Sequence, residues 1–324
     1  MTLDEKYTLR HFLPDDYPAL AELANASNRA LGRAIRLTAE ELASIVEAPG
    51  FNPRTDSFLL EERGRIVAMS NQGFRAAEGL CWADGVVHPD DWGKGLGAEL
   101  IRLTEARCRG WAESAFPLDQ PMSIRLAAAG TNTRADRLFR AHGYQPVRTF
   151  YTMGMELDRP ADALPLPGGL TLRPFDPARD ARAVYEAQMD AFADHWGFER
   201  DPYEDWTQQV LHHPHNDVSL WLVAYDGDEI AGICLNRVDG DAPHTAWVWL
   251  LGVRHPWRRR GVGEALLRMS LARLREVGYQ SARLMVDSSN ANNATTLYER
   301  AGMRVQDRSV VYLKRLRGTS LEEE

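Results

Sequence analysis

Short runs of alternating apolar and polar residues, separated by stretches with apolar positions three and four apart, predict a chain of mixed strands and helices. The second half reads most clearly. Residues 170–175 make a short strand and 177–192 a helix, followed by a second helix near 202–212. Residues 218–226 and 229–238 alternate on either side of Asp226-Gly227-Asp228, a hairpin signal. An apolar strand covers 245–253. The helix predicted from about 261 to 277 puts Leu267, Leu271 and Leu274 on one face, and Gly278 stands at its end, where a left-handed cap is favoured. A strand at 282–287, a helix at 293–301 and a last hairpin through 316 complete the order. Antiparallel hairpins around a strand-loop-helix unit make the fold class α/β, of the α+β type.

The first half repeats this order. Thr8-Leu9-Arg10-His11-Phe12 returns as Thr171-Leu172-Arg173-Pro174-Phe175, and Gly64 with Val67-Ala68 as Gly227 with Ile230-Ala231. Gly95-Leu96-Gly97 matches Gly261-Val262-Gly263, and Phe139 with Gly143 matches Tyr298 with Gly302. Between the halves, Pro160 to Gly169 holds three prolines and a Gly pair, the composition of a linker. The expected organisation is a domain over 1–159, a linker over 160–169, a second domain over 170–317 and a disordered acidic tail over 318–324.

A chain of 324 residues exceeds what one core usually supports, in keeping with two domains. Its 44% hydrophobic and 26% charged residues are those of an ordinary globular protein. The formal net charge of -8 points away from nucleic acid as a partner. Cys81, Cys108 and Cys234 form neither a metal spacing nor a disulfide framework, which fits a reducing cytoplasm. The polar amino terminus lacks the apolar stretch of a signal peptide, and no run approaches the ~18 apolar residues of a membrane span. A cytoplasmic location is therefore expected; oligomeric state is not legible. His212-His213-Pro214-His215 has a ligand-like composition, but its proline and its place between a helix and a strand favour a surface turn, and no metal is expected.

The chemistry concentrates in Leu251-Gly252-Val253-Arg254-His255-Pro256-Trp257-Arg258-Arg259-Arg260-Gly261-Val262-Gly263. A strand runs into a glycine-containing loop that opens a helix. Amides at a helix start have no internal partner, and the dipole adds positive potential, which suits a pyrophosphate. An arginine run alone is most often a solvated face. Here a similar element recurs as Val87-His88-Pro89-Asp90-Asp91-Trp92-Gly93-Lys94-Gly95-Leu96-Gly97.

Arg258-x-x-Gly261-x-Gly263 resembles the coenzyme A signature of the GNAT N-acetyltransferase superfamily. Val286 to Met303, with Asn290, Leu297-Tyr298 and Gly302, is similar to its second signature. Ala191 to Gly197 and the tandem layout resemble two-domain members akin to mycothiol synthase. The resemblance covers nearly the whole chain and implies two tandem GNAT domains, each a mixed, largely antiparallel, splayed sheet flanked by helices. It implies acetyl-CoA as co-substrate and no metal. Pantetheine would pair with Leu251, Gly252 and Val253, where a free amide polarises the thioester carbonyl. The loop Arg258, Arg259, Arg260, Gly261, Val262 and Gly263 would hold pyrophosphate, and Asn290 or Asn293 the pantetheine arm. Tyr298 would protonate the leaving thiolate; its structural alternative is packing a helix on the sheet. Some members place a Glu base on the strand before the bulge, but Ala246-Trp247-Val248-Trp249-Leu250 carries no carboxylate. His195, Asp194, Glu199 or a water chain are the candidate bases.

The first half departs twice: Trp92 replaces Gln or Arg, and Phe139 replaces the tyrosine. It is expected to be catalytically degenerate, with a second cofactor site at Val87, Lys94, Gly95 and Gly97. The acceptor side of the second half, Asp190 to Trp206, holds six carboxylates, one arginine and five aromatic rings. With Asp194, Trp196 and Glu199 as acceptor-binding residues, a cationic small-molecule amine is the expected partner. The same acids read equally well as a solvated face. Competing functions are a non-catalytic coenzyme A-binding scaffold and a protein N-terminal or lysine acetyltransferase.

Overall fold

The computed structural model describes residues 4–33, 35–46, 51–75, 79–115, 120–159, 163–213, 215–238, 242, 244–290 and 294–318. Two units form: Met1–Thr149 together with Asp307–Glu324, and Phe150–Gln306.

The first unit contains β1 (Tyr7–Arg10), α1 (Tyr17–Ala30), α2 (Ala39–Val46), β2 (Ser57–Glu62), β3 (Arg65–Arg75), β4 (Leu80–Val87), α3 (Leu96–Ala115), β5 (Met122–Ala129) and α4 (Thr133–Ala141). The chain then enters the second unit along β6 (Gln145–Glu156). There follow β7 (Thr171–Arg173), α5 (Pro177–Phe192), α6 (Tyr203–Trp206), β8 (Leu222–Asp226), β9 (Glu229–Val238), β10 (Thr245–Val253), α7 (Val262–Glu276), β11 (Ser281–Asp287) and α8 (Ala294–Arg300). It returns to the first unit along β12 (Arg304–Arg317).

The two sheets share one topology. In the first the order is β1-β2-β3-β4-β5-β12, and in the second β7-β8-β9-β10-β11-β6. All neighbours are antiparallel except β4 with β5 and β10 with β11. Each unit therefore takes its sixth strand from the other half of the sequence. The exchanged strands are core elements: Met153 of β6 is fully buried among Cys234, Leu266 and Leu284, and Tyr312 of β12 among Ile124, Cys108 and Tyr144.

α5 forms where the sequence places it. Pro177 occupies the first turn, the Asp176 side chain accepts from the Ala178 amide, and Ala181, Val184, Ala187 and Ala191 recur on one buried face. That face meets Ile233 and Leu235 of β9 together with Trp206. On the opposite side of the sheet Leu266, Leu267, Leu271 and Leu274 of α7 are buried, each worth about 1.5–3 kcal/mol of transfer free energy. α7 ends at Gly278, whose φ of 101° only glycine adopts freely.

Two expectations change. The hairpin through 316 is a single strand: nothing between Val305 and Leu316 suits a tight turn, and β5 offers a continuous partner from Met122 to Ala129. The helix near 202–212 is an α-helical turn continued as a π-helix over Thr207–Leu211. The units divide at Thr149/Phe150 and Gln306/Asp307, away from the proline-rich segment whose residues 160–162, like the tail 319–324, lie outside the described residues.

Candidate acyl-transfer site

In the second unit β10 carries a bulge between Val248 and Leu250, so Trp249 has no register partner on β9. Its parallel ladder with β11 pairs only Thr245–Trp247 with Ser281–Arg283. Beyond Trp247 both strands continue, β10 along β9 to Val253 and β11 along β6 to Asp287. The sheet is open between them at Leu250, Leu251, Gly252 and Val253. Gly252 is required by packing: a Cβ there would come 2.8 Å from Phe192 and 2.9 Å from Ala191 of α5.

Past Val253 the chain turns through His255–Trp257, anchored by the Trp257 indole on Asp226 at 2.9 Å. Arg259 (φ 60°) and Gly261 (φ 85°) are left-handed, and Gly261 is the N-cap of α7. Arg259, Arg260 and Gly261 are exposed. The first-turn amides of α7 have no helical partner.

Arg258 behaves differently. Nε donates to the Val253 carbonyl at 3.1 Å, Nη2 to the Ala191 carbonyl at 3.0 Å and Nη1 to Asp194 at 2.7 Å. It ties the loop to the strand and to the end of α5. Asp194 also lies 3.5 Å from His255, and Asp190 pairs with Arg254 at 2.8 Å. Asp190 and Asp194 are thus held in ion pairs, the Arg258 guanidinium keeping the Asp194 carboxyl below the usual carboxylate range.

His195 lies in the turn after α5, its ring 4.5 Å from that of Phe192. Burial, then the Arg258 charge, lowers its pKa, against the opposing charges of Asp287 and Asp194. Its imidazole is neutral at neutral pH. Trp196 and Glu199 are exposed in the same segment. Tyr298 is buried in the α7-side core, and burial with the neighbouring Cys234 raises its pKa, so the phenol stays protonated. The adjacent Leu297 lies against Val253 and the start of α7 at Gly263. Asn290 sits in the turn closing β11, its amide on the Asp287 carbonyl at 3.1 Å. Asn293 lies outside the described residues.

The first unit repeats the opening without the bulge. β4 runs in unbroken register with β3, and its parallel ladder with β5 stops at Ala83. A cavity of about 610 Å³ fills the gap, lined by Asp84, Val87, Gly95, Gly97, Asn132 and Phe139 among others. Lys94 is turned to Asp91 at 2.7 Å. Trp92 donates its indole N–H to the Val87 carbonyl at 2.9 Å, the bond that Arg258 Nε makes to Val253. Asp84 meets solvent at the cavity with protein packed densely around it, and this burial raises its pKa against the pull of Arg125. Sequence reading missed Asp84, which carries no motif. It also missed Arg237, a cation within the apolar strand β9.

Among the described residues no group of three or more His, Cys, Asp or Glu is placed to hold a metal, and no helix is long and apolar enough to cross a membrane. The three cysteines are buried thiols.

Residues 181–303 match the Acetyltransferase (GNAT) family. A mycothiol acetyltransferase of Thermobispora bispora is 31% identical, covering 92% of this chain and 96% of that protein. A GCN5-related N-acetyltransferase from Sphaerobacter thermophilus superposes with a TM-score of 0.85 at 32% identity over 99% of both chains. The tandem GNAT protein from the clavulanic acid biosynthesis pathway gives 0.74 over 97% of this chain and 100% of that one, at 14% identity, a likeness of fold alone. With two splayed sheets of GNAT topology, a signature loop and relatives matched nearly end to end, the chain is an acyltransferase and belongs to the GNAT acetyltransferase family.

Proposed function

We propose that the second unit transfers an acetyl group from acetyl-CoA to a primary amine of a small molecule, by direct attack in a ternary complex. The observation that carries this reading is the coincidence of three features along one stretch of chain: the bulge at Trp249, the opening beyond Trp247, and the helix start of α7 with its unpaired amides soon after Val253. Acetyl-CoA supplies the activated acyl group. Leu251, Gly252 and Val253 offer backbone to the pantetheine arm, and Arg259 to Gly263 offer amides to the pyrophosphate, with Arg258 fixing the loop. Asn290 closes the strand end on the other side. Tyr298 gives its proton to the sulfur as the C–S bond breaks. His195, neutral and near the opening, takes the proton the nitrogen loses as the C–N bond forms.

The first-unit cavity supports a second, weaker coenzyme A site. Its wall includes Val87, Gly95 and Gly97 but has Phe139 where a proton donor would stand, so it is expected to hold coenzyme A without turning it over.

The relatives' name, mycothiol acetyltransferase, favours a small-molecule acceptor over a protein one. The test is thiol release from acetyl-CoA with a panel of amines, with products identified by mass spectrometry. Acetylation of peptide N-termini or lysines in preference to every small amine would replace this reading with protein acetylation.

A further inference from the structure

Arg237 is an unusual resident of β9. The strand is otherwise apolar or neutral inside its first residue, and Ile233 and Leu235 on the same face are fully buried in the α5–α6 core. Alternation places Arg237 on that face too. Its guanidinium carbon lies 3.2 Å from the ring centroid of Trp249, the bulge residue of β10. Nη2 donates to the Gln209 carbonyl at 2.6 Å, in the π-helical turn after α6. Nε is buried with no partner, and so is Oδ1 of Asn216, the residue bridged to Arg237 across the edge of β9. Among the described residues no carboxylate pairs with it. Burial depresses its pKa, to about 10.

A half-buried guanidinium stacked on an indole, with no carboxylate on it among the described residues, is pre-organised for a planar anion. The plate it lies on is two residues before Leu251. At about 3.3 Å per residue, that is roughly 7 Å along the strand from the start of the backbone assigned to the thioester. The acids nearest the opening, Asp190 and Asp194, are already paired with Arg254 and Arg258, so the local field is not that of a cation trap.

We propose that Arg237, stacked on Trp249, binds a carboxylate of the acceptor, which makes the substrate an amine carrying a carboxylate near the reacting nitrogen rather than a simple monoamine or polyamine. The proposal rests on the acetyl-transfer reading for the position of the reacting nitrogen, and its test separates the two.

Matched acceptors are compared: amino acids and dipeptides against their carboxamides, and lysine against cadaverine. Each is measured by turnover and, independently, by quenching of tryptophan fluorescence on binding. Wild type is expected to favour the carboxylate member by at least about 10-fold in kcat/KM and in affinity. Arg237→Gln should erase that preference, raising KM for the acid while leaving the amide, the KM for acetyl-CoA and the melting temperature within about two-fold or a few degrees. Arg237→Lys keeps a cation but not the fork, and should recover part of it. If carboxylate binding depends on Arg237 but no acceptor is acetylated, this site stands and the transfer reading fails. Equal use of acids and amides by wild type, equal losses on both in Arg237→Gln and Arg237→Lys, or binding of O-phosphoethanolamine alone would overturn the carboxylate site.

Discussion

Replacing Arg258 by Ala distinguishes a residue that touches phosphate from one that shapes the loop around it. The guanidinium spends Nε and Nη2 on the Val253 and Ala191 carbonyls. Hydrogen bonds from a charged donor are worth about 1.5–3 kcal/mol each, so the pair carries roughly 3–6 kcal/mol. Its third bond goes to Asp194, whose side chain is 54% exposed, and an exposed ion pair contributes only about 0–1 kcal/mol. Water recovers part of the loss, and only the share that fixes the loop is felt by the ligand. Taking half, coenzyme A affinity falls by about 1.5–3 kcal/mol, on the order of 10- to 150-fold. Asp194→Asn should cost less than about 5-fold. Arg258→Gln, which keeps one donor for a carbonyl, should fall between, and Arg258→Lys should do no better than Gln. Calorimetric titration with coenzyme A reads all four variants, with circular dichroism to confirm the fold. Full affinity in Arg258→Ala refutes the tether. Full rescue by Lys with loss in Gln would mean that a point charge on phosphate, not the tether, is what Arg258 provides.

Tyr298→Phe is expected to lower kcat by about 100-fold or more, the low end for a general acid, with coenzyme A affinity within about two-fold; full turnover would remove the phenol from the mechanism. If His195 is the base, the acid limb of the pH–rate profile lies below the ordinary histidine value, because burial lowers its pKa, and His195→Ala abolishes that limb. Calorimetry should find one tight and one weak coenzyme A site, with Trp92→Phe, which deletes the bond to Val87, weakening only the second; two equal sites contradict this. Asp84 has a folded-state pKa raised above 3.8, so its contribution to stability is full below that value and is lost as pH rises through the raised one. Asp84→Asn should therefore melt higher than wild type near pH 7, with the gap closing toward pH 3.8, and a lower melting temperature at neutral pH would refute this.

Much of the second unit was legible because its signals are local. Asp176-Pro177 and the spacing of Ala181, Val184 and Ala191 define α5 residue for residue, and Gly261 marks the start of α7. The doubled loop was visible, yet the role of its leading residue was not. Trp92 counts as a departure by residue type, although its indole makes the same bond to the strand carbonyl as Arg258. What failed were properties set by partners far away in sequence. Of the acids in 190–206, Asp190 and Asp194 are paired with Arg254 and Arg258, partners some 64 positions away that no local pattern announces. The final strand reads as half of a hairpin because nothing in Val305 to Leu316 says that its neighbour is β5. Arg237 on a strand of buried residues is a signal that could have been found, since a lone cation there calls for a partner.

The exchange of last strands bears on how the protein is made. During synthesis the amino-terminal half leaves the ribosome with β5 as an open edge, because its neighbour is the chain's final strand. At about 5–20 residues per second, the roughly 160 residues still to come take on the order of 8–30 s. For that interval an Ala-rich, largely apolar edge has no mate, a template for pairing with other nascent chains. The carboxyl-terminal half faces no such delay, since β6 is made before the strands it joins. A stop codon just after Gln306 would thus leave the second unit whole and strip the first of its last strand, and an insertion between α8 and β12 would be felt in a unit whose other strands were made far earlier.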